Sequence, residues 1–173
     1  MMKVLSDFGQ NPISLAMASS SWVVPAMQSL HIMAIAVVFF SVLTVAMRLL
    51  GFAWAGQSVR QTADRFAPWI LGALIVLAFT GLVLILAEPV RELMAVSFWL
   101  KMALLVLAII ISLRFTRSVR CSPVYQDQNG QADASTRRVT IVTVGVWIAI
   151  IFLGRFIAYD PLIWGRLSPL TVG

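Results

Sequence analysis

The sequence predicts an all-α fold, a four-helix transmembrane bundle, from three observations. The 173-residue chain is 60% hydrophobic and only 12% charged, whereas a soluble domain carries about 25% charged residues. It contains four apolar stretches, each close to the roughly 20 residues that a helix needs to cross a bilayer core. Polar segments that contain arginine separate these stretches. The predicted spans are about 22–47, 67–87, 96–115 and 139–159.

Residues 1–21 predict an interfacial segment before the first span. Asn11-Pro12 is typical of a helix start, with Asn as the N-cap and Pro in the first turn. Trp22 stands where aromatic residues mark the edge of a membrane. The first apolar stretch is too long for the core of a cleavable signal peptide, so we expect it to remain as a transmembrane helix.

The links on either side of the second span carry turn and capping signals. Ser58 and Gln61 have the spacing of a capping box, and apolar residues that follow on one face predict a short surface helix. Pro68-Trp69 is predicted to open the second span. Glu88-Pro89 is predicted to close it, before a tight turn into the third span.

The third span ends in arginines spaced by three residues, which places them in a stripe on a helical extension. Residues 121–138 are polar and contain Asn-Gly, so they predict a flexible loop. Residues 160–173 predict an interfacial tail. We expect the basic residues that flank the loop to contact anionic lipid headgroups: Arg114, Arg117, Arg120, Arg137 and Arg138.

The distribution of positive charge predicts the orientation. Eight of the 13 Lys and Arg residues lie beside or within the links after spans one and three, and five lie elsewhere. Because positively charged loops stay cytoplasmic, both termini are predicted to face the periplasm from the inner (cytoplasmic) membrane of a bacterium. The net charge of +6 comes with no extended basic surface outside the membrane, so nucleic-acid binding is not expected.

Six polar residues fall in the outer half of the predicted bundle, and ionisable groups in hydrocarbon indicate function by default. We expect them to form one ligand-binding cluster, with no equivalent in the inner half. A structural interpretation also stands: the two cations reach the interface and pair with the two carboxylates, while the histidine makes an interhelical hydrogen bond to Gln28 or to a backbone carbonyl. The candidates are Gln28, His31, Glu88, Lys101, Arg155 and Asp160.

His31 is the one histidine of the chain, and several ligands remain open for it. Haem would need His31 of a second copy, in a homodimer, or Met102 as the other axial ligand. Copper suits His31 with Met27 one turn away, although Met is also common core filler. A quinone fits hydrogen bonds from His31 and Gln28. The sequence does not choose among them.

Motifs of self-contained enzymes are missing from the sequence: it has no glycine-rich phosphate loop, no metal-spaced Cys/His set and no nucleophile elbow. An enzyme acting alone is therefore not expected. Gly72, Thr80 and Gly81 in span two, and Gly145 with Ala149 in span four, predict close helix packing or self-association.

Short motifs follow one another across residues 22–115: Trp22, Gln28 with His31, Arg48-Leu49-Leu50-Gly51, Pro68-Trp69, Thr80-Gly81, and Phe98 with Lys101. Together they resemble an uncharacterised family of bacterial four-helix inner-membrane proteins, distantly similar to copper-resistance D proteins. The resemblance implies the fold, while that family's activity is itself unassigned. Gln28 stands where the family's pattern has an acidic residue, and Ala46 where an Asp often stands. The first departure weakens a metal role for His31.

The function hypothesis that these residues favour is a membrane-embedded binding or accessory subunit, serving electron transfer or metal handling through the outer pocket. One alternative is a transporter for a small solute or ion, which typically shows inverted repeats and broken helices; neither is evident. Another is a scaffold subunit of a larger membrane complex.

Overall fold

A computed structural model describes residues 10–53, 56–121 and 133–164 and confirms the all-α four-helix bundle, with no strand in those ranges. The four long helices are each long and apolar enough to cross a membrane: α2 (Val23–Leu50), α3 (Val59–Ala87), α5 (Val96–Cys121) and α6 (Ala134–Phe156). Shorter elements lie before, between and after them: α1 (Pro12–Ser19), α4 (Pro89–Met94), a 3₁₀ helix (Ile157–Tyr159) and α7 (Asp160–Trp164).

The turn between α2 and α3 is fixed at both ends. α2 ends at Gly51, whose φ of 84° is left-handed, a conformation that glycine adopts without the strain of a Cβ. The buried guanidinium of Arg48 donates across the turn to the carbonyl of Gln57. Ser58 and Gln61 then form the predicted capping box, with both of its hydrogen bonds present.

The predicted short surface helix after Ser58 is not a separate element. α3 runs without a break through Pro68, which lies inside the helix rather than at its start. An interior proline costs about 3 kcal/mol in water, but helix-breaking residues are better tolerated where the surroundings re-satisfy the freed backbone groups. With 29 residues, α3 is about 44 Å long, so it is longer than an apolar core of about 30 Å is thick.

The link between α3 and α5 is also helical. Residues Pro89–Met94 form α4 where the sequence indicated a tight turn, because Pro89 is pre-set for a helix start and Met94 at the end of the helix is buried. α5 continues to Cys121, in agreement with the predicted extension that carries the arginine stripe. Residues 122–132 of the predicted loop lie outside the described residues, as does the tail after Trp164. Residues 134–138 are helical rather than part of a loop, because α6 begins at Ala134 with Asp133 as its N-cap.

The core of the bundle is built on small side chains that face one large one. Trp147 and Ile150 of α6 are buried in a cluster with Ala34 of α2, Ala73 of α3 and Ala108 of α5. Alanines allow helix backbones to approach closely, which is how transmembrane helices gain packing energy without a hydrophobic driving force between them. α2 packs most extensively on α3, and α5 on α6.

One end of the bundle is covered by the short helices. The Ser14 hydroxyl on α1 donates to the carbonyl of Leu86 at 2.7 Å. The indole N–H of Trp164 on α7 donates to the hydroxyl of the fully buried Ser97 at 2.8 Å. We call this the histidine end, because His31 lies in its half, and the opposite end, with Arg48 and Arg60, the arginine end. The assignment of the histidine end to the periplasmic side rests on the arginine counts and remains a prediction.

Candidate functional site

His31 forms a hydrogen bond across the two most extensively packed helices. Its Nδ1 lies 2.8 Å from the hydroxyl oxygen of Thr80 on α3. Thr80 is almost fully buried, and His31 is partly buried. The ring is accommodated beside Gly81, where an added Cβ would lie 3.6 Å from the imidazole Cε1. The Thr80-Gly81 pair therefore supplies both a polar partner and space for the imidazole.

The surroundings of Thr80 determine which imidazole nitrogen carries the proton. The Thr80 hydroxyl oxygen lies 2.7 Å from the carbonyl of Val76, which can only accept a hydrogen bond. The single hydroxyl hydrogen therefore goes to Val76, and the oxygen accepts from His31 Nδ1–H. In a neutral imidazole only one nitrogen is protonated, so Nε2 of His31 carries a lone pair and is free to accept a hydrogen bond or to bind a metal.

Lys101 of α5 brings a positive charge to the same site. Its ammonium is close enough to His31 for the two to interact electrostatically. The side chain lies over Gly154 of α6, where an added Cβ would be 3.5 Å from Nζ. On the other side it interacts with the carboxylate of Glu92, on the short helix α4. The opposite charge of Glu92 offsets part of the cost of placing a lysine in an apolar part of the bundle.

Each of the four long helices thus contributes one part of the site. α2 supplies the imidazole, α3 the hydroxyl that fixes its tautomer, α5 the ammonium and α6 the glycine over which the ammonium lies. The result is a hydrogen-bond acceptor next to a charged donor in a largely apolar half of the bundle. We call the set of His31, Thr80, Lys101 and Glu92 the histidine–lysine site.

The structure separates the predicted cluster into members and neighbours of this site. Gln28 is exposed and makes no hydrogen bond to His31 within the described residues. Arg155, next to Gly154, is exposed as well. Glu88 is partly buried at the boundary between α3 and α4. The side chain of Asp160 lies outside what the structure describes.

Metal ligation finds limited support in the described part of the chain. No group of three His, Cys, Asp or Glu side chains comes close enough there to hold an ion. Met27 is partly buried one turn from His31 and would have to complete a copper site together with ligands from elsewhere.

Sequence reasoning missed three contributors. Thr80 is interpreted from sequence as a packing residue, because a threonine in an apolar helix usually bonds its own preceding turn. Gly154 carries no chemical signal of its own. Glu92 is assigned to a turn outside the membrane, and its approach to Lys101 depends on α4 folding back as a helix. Only the Thr80-Gly81 motif could have pointed to the partner of His31.

A lateral apolar groove of about 480 Å³ runs along the seam of α2 and α3. Leu30, Met33 and Val37 form one wall, and Trp69 and Val76 are on the other. These side chains are exposed at the outer surface of the bundle. No member of the histidine–lysine site lines the groove. The two are neighbours along the helices, since Leu30 precedes His31 in the sequence and Val76 lies one turn from Thr80.

The family model that matches the chain covers residues 19–160 and is described as a family of unknown function (DUF6644). The matched region includes all four long helices and every described member of the histidine–lysine site. No curated protein and no solved structure matches the chain.

Proposed function

The chain belongs to this family of unknown function, and from its own residues we propose that it is a membrane-embedded binding subunit that takes a quinol or quinone at the histidine–lysine site. The observation that carries the proposal is the pairing of an acceptor, Nε2 of His31, with a charged donor, Nζ of Lys101. A quinol hydroxyl donates one hydrogen bond and also accepts. It can therefore donate to Nε2 while its oxygen accepts from the ammonium.

Electrostatics favour such a ligand over a copper ion. A cation bound at Nε2 would face the ammonium of Lys101, and like charges in a medium of low dielectric repel strongly. Gln28 in place of an acidic residue provides no compensating charge. The copper handling that the resemblance to copper-resistance D proteins would suggest is for this reason the weaker proposal.

The lateral groove suits the tail of the same ligand. Quinols dissolve in membranes because they carry an apolar chain, and the groove offers an apolar surface that neighbours the polar site along the helices. On α3 it extends from Pro68 to Val76, which corresponds to about 12 Å of helix. A ligand whose head reaches His31 would lay the first part of its chain there, which supports a membrane-soluble ligand rather than a water-soluble one.

The test is binding of a decyl-tailed benzoquinol to the purified protein in lipid nanodiscs, followed by ¹⁵N NMR of selectively labelled histidine. Because the chain has one histidine, the spectrum reports on His31 alone. We expect saturable binding that shifts the Nε2 resonance. Lys101→Met should weaken binding by roughly tenfold or more, because one hydrogen bond to a charged group contributes that much to affinity.

Arg155→Met is the matched control, since it removes an exposed cation one residue from Gly154. Its affinity should stay near that of the wild type. If both variants lost the same amount of affinity, the Lys101 effect would reflect only a general loss of positive charge, against the proposal. The absence of any saturable shift would refute it.

A further inference from the structure

The arginine end holds a cavity of about 130 Å³ between all four long helices. From the sequence we expect no polar cluster in this half of the bundle. The space exists because small residues line it, Ala46 on α2 and Ala63 and Ala67 on α3. Its volume is close to that of engineered apolar cavities, about 150 Å³, that hold benzene.

The polar atoms on the walls of this cavity include oxygens that can only accept. The hydroxyl of Thr140 donates its hydrogen to the Thr136 carbonyl, and that of Thr143 donates to the Val139 carbonyl, both at 2.8 Å. Each hydroxyl oxygen therefore keeps only its acceptor capacity for anything inside the cavity. Asp64 also lines the space, and its carboxylate accepts without donating.

We propose that this cavity binds a small organic cation, an ammonium group on a compact apolar or aromatic body. The apolar walls accommodate the body, and the N–H donors of the ammonium match the acceptor oxygens of Asp64 and the two threonines. The histidine–lysine site differs in that Lys101 supplies a charged donor beside the Nε2 acceptor, so the two sites would take different ligands.

Arg60 competes with such a ligand for the carboxylate of Asp64. Its guanidinium nitrogen lies 3.8 Å from the carboxylate of Asp64, and both side chains are about half exposed. Exposed ion pairs of this kind contribute little, so the carboxylate can exchange that contact for a ligand held on the cavity side. The apolar walls make the exchange selective for cations with an apolar body.

The test uses 4-fluorobenzylamine as the probe and 4-fluorobenzyl alcohol as its uncharged counterpart, with ¹⁹F NMR of the full chain in nanodiscs. We expect the amine to bind saturably and more tightly than the alcohol. Asp64→Asn should weaken amine binding about tenfold, because a charge-assisted hydrogen bond becomes a neutral one, and should change alcohol binding little. Asp133→Asn, at an exposed carboxylate outside the cavity, is the matched control and should change neither.

Filling the cavity gives an independent check. Ala67→Leu should abolish binding of both probes, and Ala63→Leu repeats the test from the neighbouring turn. The ¹⁵N signal of His31 at the far end of the bundle reports whether each variant keeps its fold. Amine binding that is unchanged by Asp64→Asn, or that persists in both folded leucine variants, would overturn the proposal.

Discussion

Replacing Thr80 with valine removes one hydroxyl from the histidine–lysine site and keeps the shape of the side chain. The carbonyl of Val76 keeps its helical partner, so only the bond to His31 Nδ1 loses its acceptor. A hydrogen bond contributes about 0.5–1.5 kcal/mol net, and side-chain hydrogen bonds between membrane helices average about 0.6 kcal/mol. We therefore expect Thr80→Val to lower the free energy of unfolding by about 1 kcal/mol, and Thr80→Ser to change it little.

Two measurements check this expectation. Unfolding in mixed micelles with increasing SDS gives the stability difference between the variants. ¹⁵N NMR of the single histidine gives the tautomer: in the wild type the proton should be on Nδ1, and in Thr80→Val this preference should be lost. A wild-type spectrum with the proton on Nε2, or a Thr80→Val spectrum identical to the wild type, would refute the hydrogen-bond assignment on which the proposed quinol site depends.

Three further predictions concern other parts of the chain. Gly154→Ala should leave quinol affinity near the wild-type value, because its Cβ would be in ordinary contact 3.5 Å from Lys101 Nζ, whereas Gly154→Leu should displace the ammonium and weaken binding in the same NMR titration. Gly51→Ala should destabilise the protein in SDS titrations by about 1 kcal/mol, since φ is 84° there and a left-handed residue with a Cβ is strained; Gly51→Asn should cost less, and equal stability of all three would contradict the strained turn. The hydroxyl of Thr136, which donates to the exposed carboxylate of Asp133, holds the pKa of that carboxyl below its ordinary value of 3.8. The small stability that this contact adds is present above pH 3.8 and disappears as the pH falls through the lowered pKa; a ¹³C NMR titration should show the depression in the wild type and its loss in Thr136→Val.

The fold could be predicted because the membrane imposes it. An apolar stretch of 20 residues in hydrocarbon must satisfy its backbone internally, so composition alone indicates a helix. The same reasoning fails at the ends of the spans. Pro68 predicts a helix start in water, yet the chain continues as a helix on both sides of it, because the capping box at Ser58 has already begun the helix nine residues earlier.

The site could be predicted only in part. Its ionisable residues stand out in an apolar sequence, whereas the residues that contact them do not. His31 and Lys101 are conspicuous in apolar helices, and their common depth follows from counting residues from the span ends. Thr80, Gly81 and Gly154 are ordinary residues of membrane helices. Their roles depend on how each helix is rotated about its axis, and a helix that is apolar on every face carries no sequence pattern that specifies this rotation. The acceptor character of the cavity near Asp64 depends on where hydroxyl hydrogens point, which sequence does not contain.

The turn between α2 and α3 has a consequence for how the protein enters the membrane. Arg48 is bonded to the Gln57 carbonyl across the turn, and Gly51 and the Ser58 capping box fix its two sides. These contacts are local in sequence and need nothing from α5 or α6. The first two crossings can therefore form as a helical hairpin while the remainder of the chain is still being synthesised. In the predicted orientation, Arg48 then stays at the turn on the cytoplasmic side and does not have to cross the hydrocarbon.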